Sequence, residues 1–160
     1  MLFRRLRRGL EFMLVLGQAW LDAPRRALIQ RMVTFSRNLP QQFDQPLPVM
    51  MAQLTPSPPP PPVAVVPEPA IRQLADAVAA WHVRSPLGIC LRRSLLRYYF
   101  LREAGVPVQV IFGARLKGAH EGGGVGGHAW LTLEGEPYYE NPADYQGFVV
   151  MYAYPPKHES

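Results

Sequence analysis

The chain has 160 residues, room for one domain of ordinary size or a smaller domain with an appendage. Its single cysteine excludes an internal disulfide and any four-cysteine zinc site, which fits a reducing compartment and leaves one thiol as either inert core or reactive nucleophile. The net charge of +5 favours acidic partners, and 18 prolines are too many for uniform packing, so they must be concentrated in one stretch.

In residues 1–38, Leu2, Leu6, Leu10, Met13, Leu14, Gly17 and Leu21 recur at helical spacing, while Arg4, Arg5, Arg7 and Arg8 crowd the first turns. This describes a basic amphipathic helix. Glu11 and Gln18 interrupt its apolar run, which falls short of the roughly 20 residues a membrane span needs and fits a secretory signal poorly. A cytoplasmic protein is expected. Asp22 is placed to cap a second helix, with Pro24 in its first turn and Leu28, Met32 and Phe35 as its apolar stripe. The two helices read first as a hairpin packed on the body of the protein; residues 1–22 also suit peripheral contact with a membrane surface or a partner. Residues 39–69 contain QQFDQPLP and TPSPPPPPVAVVPEP, where proline removes backbone donors and imposes extended conformations, so they read as a linker.

Residues 70–156 read as the main domain. Ile71, Leu74, Val78 and Trp81 share a helical face. A second helix opens near Ile89-Cys90, buries Leu91, Leu95, Tyr98 and Leu101, and stops at Gly105, which suits a left-handed cap. Residues 106–116 are rich in valine and isoleucine and read as a buried strand, and glycines dominate residues 118–127. Residues 128–134 form another strand, Glu134-Gly135 a turn, residues 138–140 its hairpin partner, and residues 148–154 a further strand. Helices followed by strands without alternation indicate an α+β fold with an antiparallel sheet.

Cys90 stands where a glycine-containing loop becomes a helix, beside the unpaired amides of the first turn and near Arg92 and Arg93. That setting favours the thiolate, the nucleophilic form. His128 begins a strand directly after the glycine-rich loop and shares a strand face with Trp130 and Thr132, while Ala129, Leu131 and Leu133 face the core. A histidine there can serve as base to a cysteine at a helix start. A third group must accept from the imidazole and fix its tautomer. Glu140 is preferred, Asn141 is the alternative, and Asp144 ranks third. The Cys90 amide supplies one oxyanion donor.

The segments CLRRSLLRYYFLREAGVPVQVIFGARL and GHAWLTLEGEPYYEN resemble the protease domain of the lasso-peptide leader proteases. Cys90, Gly113, Arg115, His128, Ala129 and Trp130 all match that family's pattern, whereas Glu140 stands where the family usually has aspartate. The resemblance implies a transglutaminase-like, papain-related fold and a cysteine peptidase needing no cofactor. Its implied partners are a precursor peptide, a separate leader-recognition protein and an ATP-dependent lasso cyclase, with no role for nucleic acid. Two other readings use the same residues: a transglutaminase-like acyltransferase or deamidase, and a non-catalytic peptide-binding module.

Two further motifs weigh little. Gly122, Gly124 and Gly127 satisfy a dinucleotide-binding string, but a strand follows where that motif needs a helix, so the glycines read as a mobile loop. Cys90, His120, Glu121 and His128 lack metal-ligand spacing, so no metal is expected.

Overall fold

The computed structural model describes residues 17, 19, 21–56, 66–81 and 85–156. Residues 1–16 of the expected basic helix, and the proline run of residues 57–65, lie outside the described residues. The chain forms two compact units, residues 1–106 and 107–160, the first helical and the second built on a sheet. Helices precede strands, giving the expected α+β class.

In the first unit, α1 (Ala23–Gln42) starts after Asp22 with a proline in its first turn and buries Leu28 and Met32, together with Ile29 and Leu39. Phe35 is half-buried. Asp22 does not cap through its side chain; it pairs with Arg25 at 3.2 Å instead. The segment expected to be linker is partly helix. Helix α1 runs on to Gln42, and α2 spans Leu47–Leu54 with Met50, Met51 and Leu54 buried. Leu47, Met50, Met51 and Leu54 have the spacing of one helical face, and a proline in the first turn removes an amide that the helix leaves unbonded anyway. Proline content masked that periodicity.

Helix α3 (Glu68–Trp81) buries Ile71, Leu74 and Val78 as expected, with Ala75 and Ala79 beside them. Trp81, expected on the same stripe, is the last residue of the helix and is 62% exposed. Helix α4 (Ile89–Glu103) packs against α3 and α1 and is buried on most sides. Leu95, Tyr98 and Leu101 lie inside, while Leu91 is only half-buried. Each fully buried large apolar side chain contributes roughly 1.5–3 kcal/mol. The Thr55 hydroxyl donates its one proton to the Met51 carbonyl at 2.7 Å, so the Tyr98 hydroxyl donates to Thr55 at 2.8 Å.

Arg92 and Arg97, which on sequence belong to a basic cluster, are inside the fold. Arg97 donates to Asp76 of α3 through two nitrogens, at 2.6 and 2.7 Å, a bidentate pair that lets a guanidinium be buried. Helix α4 ends in a Schellman motif: Val106 N–H bonds the Leu101 carbonyl at 2.9 Å and Gly105 N–H the Arg102 carbonyl at 3.0 Å. Gly105 takes the left-handed conformation there, with φ of 86°.

The second unit is a four-stranded antiparallel sheet of order β3-β2-β1-β4, from β1 (Gln109–Leu116), β2 (Val125–Leu133), β3 (Glu136–Pro137) and β4 (Val149–Tyr154). A short helix, α5 (Pro142–Tyr145), precedes β4. Glu134 and Gly135 both have positive φ, 53° and 92°, and join β2 to β3 as a two-residue turn of the kind that matches strand twist. The hairpin partner is therefore Glu136–Pro137, earlier than the expected 138–140, because Leu133 pairs directly with Glu136. The extended run stops at Tyr139, whose φ is 50°. Strand β2 begins at Val125, inside the glycine-rich stretch. Strand β4 is an edge strand whose Val149, Val150 and Met151 are exposed, and its pairing with β1 shifts register between Phe112 and Gly113.

Candidate active site

Cys90 is the second residue of α4, half-buried, in the turn that follows the Gly88 cap. The approach to it is held by short-range bonds: Leu87 N–H to the Ser85 hydroxyl at 3.3 Å, Arg92 N–H to the Gly88 carbonyl at 3.1 Å, and Arg92 Nε to the Leu87 carbonyl at 3.1 Å. Arg92 is thus a tie between the helix and the loop before it. Burial pushes its guanidinium below the ordinary value. Gly88 at the cap position has no side chain to bond the amides of the first turn. A cavity of about 670 Å³ in the first unit is lined by Phe35, Leu39, Leu54, Tyr99 and Phe100 among others, and Cys90 is not one of its lining residues.

In the second unit His128 sits in β2 opposite Gly113 of β1. The imidazole is half-buried, with Nε2 shielded from solvent. Two rings brace it. Trp130 lies nearly parallel, with centroids 5.8 Å apart and planes at 20°, and Phe148 stands 5.2 Å away at 39°. Trp130 in turn stacks on Tyr145 of α5 at 5.9 Å. Gly113 is what lets the two braces converge: a Cβ there would come within 2.7 Å of the Trp130 ring and 3.1 Å of Phe148 Cβ.

Arg115, two residues further along β1, places its guanidinium carbon 5.3 Å from the centre of the Phe148 ring. It also forms a two-pronged pair with Glu121, at 2.8 and 2.6 Å, and Glu121 accepts from Gly118 N–H at 3.0 Å. The Arg115 guanidinium, with the Gly118 amide, holds the Glu121 carboxyl down at about 2. The glycine-rich loop is accordingly pinned, with Lys117 N–H bonded to the Gly124 carbonyl at 2.9 Å and Gly123 N–H to the Gly118 carbonyl at 3.3 Å. No cluster of three candidate metal ligands occurs among the described residues.

The three candidates for the orienting group occupy different settings. Asn141 caps α5, its oxygen accepting from Ala143 N–H at 3.1 Å, and is exposed. Glu140 is half-buried and follows the hairpin return, which runs antiparallel to β2 back toward its His128 end. Asp144 is exposed in the first turn of α5. Cys90 belongs to the first unit; His128, Glu140, Asn141 and Asp144 belong to the second. Sequence reasoning missed the Phe148 brace, the Tyr145 stack and the Arg115–Glu121 pair. Only Arg115 carried a signal, as one of the motif positions.

Residues 30–153 match the profile of the Transglutaminase-like superfamily, three quarters of the chain and both units. The chain belongs to that superfamily. Its transglutaminase-like region therefore starts within α1 and includes α2, well before the first residue of the expected main domain. No curated protein and no solved structure matches the chain significantly. No described helix is long and apolar enough to cross a membrane.

Proposed function

We propose that this transglutaminase-like chain is a cysteine peptidase that cleaves the leader from a lasso-peptide precursor, with Cys90 as nucleophile, His128 as base and Glu140 as the group that orients His128. The observation that carries the catalytic reading is the position of Cys90, the chain's one thiol, in the first turn of α4, where the cap residue is a glycine. Members of the superfamily are typically enzymes with Cys-His-Asp triads. The choice of substrate is supported by the match of Cys90, Gly113, Arg115, His128, Ala129 and Trp130 to the leader-protease pattern.

In the proposed reaction the thiolate attacks the scissile carbonyl, and the Cys90 amide donates to the oxygen as it gains charge. Imidazolium at His128 then protonates the departing amine of the core peptide. A thioester to the leader remains, and water, deprotonated by His128, releases it and regenerates the thiol. Glu140 is preferred to Asn141 because a half-buried carboxylate stabilises the imidazolium that forms, which a neutral amide does not. The freed amine is what an ATP-dependent cyclase would consume. A separate protein is proposed to bind the leader, as the resemblance to the leader proteases implies.

The test is mass spectrometry of a precursor peptide incubated with the chain and its recognition protein. Cleavage at one bond by the natural chain, and none by folded Cys90→Ala or His128→Ala, is the expected result. Cleavage by folded Cys90→Ala refutes the assignment. Transfer of the leader to an added amine, in place of release to water, would move the reading to an acyltransferase.

A further inference from the structure

The glycine-rich loop and His128 are linked by a continuous set of contacts inside the second unit. Glu121 in the loop grips the Arg115 guanidinium with both carboxylate oxygens. That guanidinium lies over the Phe148 ring, and Phe148 stands 5.2 Å from the His128 imidazole. Each link restricts the next. A two-pronged ion pair fixes the plane of the guanidinium, which a single bond would not. A fixed cation over one ring limits where that ring can rest. Phe148 precedes β4 directly and its Cβ lies against Gly113, so its backbone is anchored while its ring owes its orientation to neighbouring side chains.

We infer that Arg115 is a positioning residue for His128, acting through the Phe148 ring, and that Glu121 holds Arg115 in place. The inference rests on the proposed role of His128 as base, but its physical content, a braced imidazole, is independent of whether the chain cleaves anything. The loop between β1 and β2 thereby gains a function, because residues 117–124 form the tight end of the hairpin that presents Glu121 to Arg115. A general base must stand within hydrogen-bond reach of the proton it takes, so small displacements of the ring are costly.

The experiment compares Arg115→Ala, Arg115→Lys and Glu121→Gln with the natural chain. His128 is followed through its ring carbon–proton resonances, and cleavage through kcat and KM. In Arg115→Ala the His128 ring signals are expected to shift and broaden while the amide spectrum of the sheet stays in place, with kcat falling at least about tenfold and KM little changed. Arg115→Lys should not rescue, because an ammonium cannot make the two-pronged pair. Glu121→Gln, a conservative change near the surface, should move the same signals in the same direction by less, which keeps the test decisive if Arg115→Ala fails to fold. Unchanged His128 ring signals in folded Arg115→Ala, or in Glu121→Gln, would overturn the inference. Shifted ring signals in a chain that cleaves no precursor would leave the inference standing and refute the peptidase reading instead.

Discussion

Replacing Gly113 by alanine adds one methyl group at the point where Trp130 and Phe148 meet beside His128. The new carbon would lie 2.7 and 2.9 Å from two carbons of the Trp130 ring and 3.1 Å from Phe148 Cβ. Carbon atoms rest at about 3.5–4.0 Å, so the indole must retreat by about 0.8 Å. It has little room to do so, being 5% exposed and stacked on both His128 and Tyr145. Inserting a methyl into a packed site of this kind costs about 1–3 kcal/mol. Alanine recovers about 0.5–1 kcal/mol of the backbone entropy that glycine loses in a strand. At the midpoints of these ranges the net loss is about 1.2 kcal/mol, a fall of about 2–5 °C in the melting temperature for a chain of this length. Differential scanning calorimetry measures the stability change, and near-ultraviolet circular dichroism reports the altered packing of the rings. A melting temperature that is unchanged or raised would show that the glycine is not a notch for Trp130, and the bracing of His128 could not then depend on it.

Other outcomes follow from single contacts. Asp76→Ala removes both carboxylate oxygens that accept from buried Arg97 and should cost about 3–5 kcal/mol in urea unfolding; a loss under about 1 kcal/mol would mean the pair is not what holds α3 to α4. Asn141→Ala should lower stability by about 0.5–2 kcal/mol through the lost cap while sparing cleavage, and Glu140→Ala should do the reverse; the opposite ranking in activity would transfer the orienting role to Asn141. The Arg115–Glu121 pair should persist at every pH above the ordinary carboxylate value of 4.5 and weaken as pH falls through about 2, because the carboxyl of the folded chain sits below its usual value. Carbon-detected titration of Glu121 checks this, and in Arg115→Ala the midpoint should climb back toward 4.5.

Periodicity in the sequence was reliable where one face is buried. It located α1 and α3, while the left-handed stop of α4 at Gly105 and the Glu134-Gly135 turn were legible from residues that tolerate positive φ. It was misled where composition outweighed spacing. Residues 47–54 carry a helical stripe, yet neighbouring prolines suggested a linker. The arginines of α4 show a different limit. Nothing in LRRSLLR tells which guanidinium meets an aspartate 21 residues earlier, so Arg97 looks like surface until the pairing of α3 and α4 is known. The same applies to His128. Its strand and its neighbour Trp130 could be read from alternation, while Phe148 reaches it only through the β1–β4 register and the irregularity beside Gly113. The Asn141 cap is the exception, since asparagine before proline at a helix start is a local signal that was open to reading.

Strand β4 bears on how the protein must be handled. From Gly147 to Tyr154 the chain runs GFVVMYAY, eight residues without a charge or a proline, and its valines and methionine face solvent on an unpaired border of the sheet. Uncharged segments of this composition are the ones that recruit identical segments from other molecules into intermolecular ladders. Concentrated solutions of the chain should therefore self-associate through this strand, and a lysine in place of Val150 is the change best suited to keep the molecules apart.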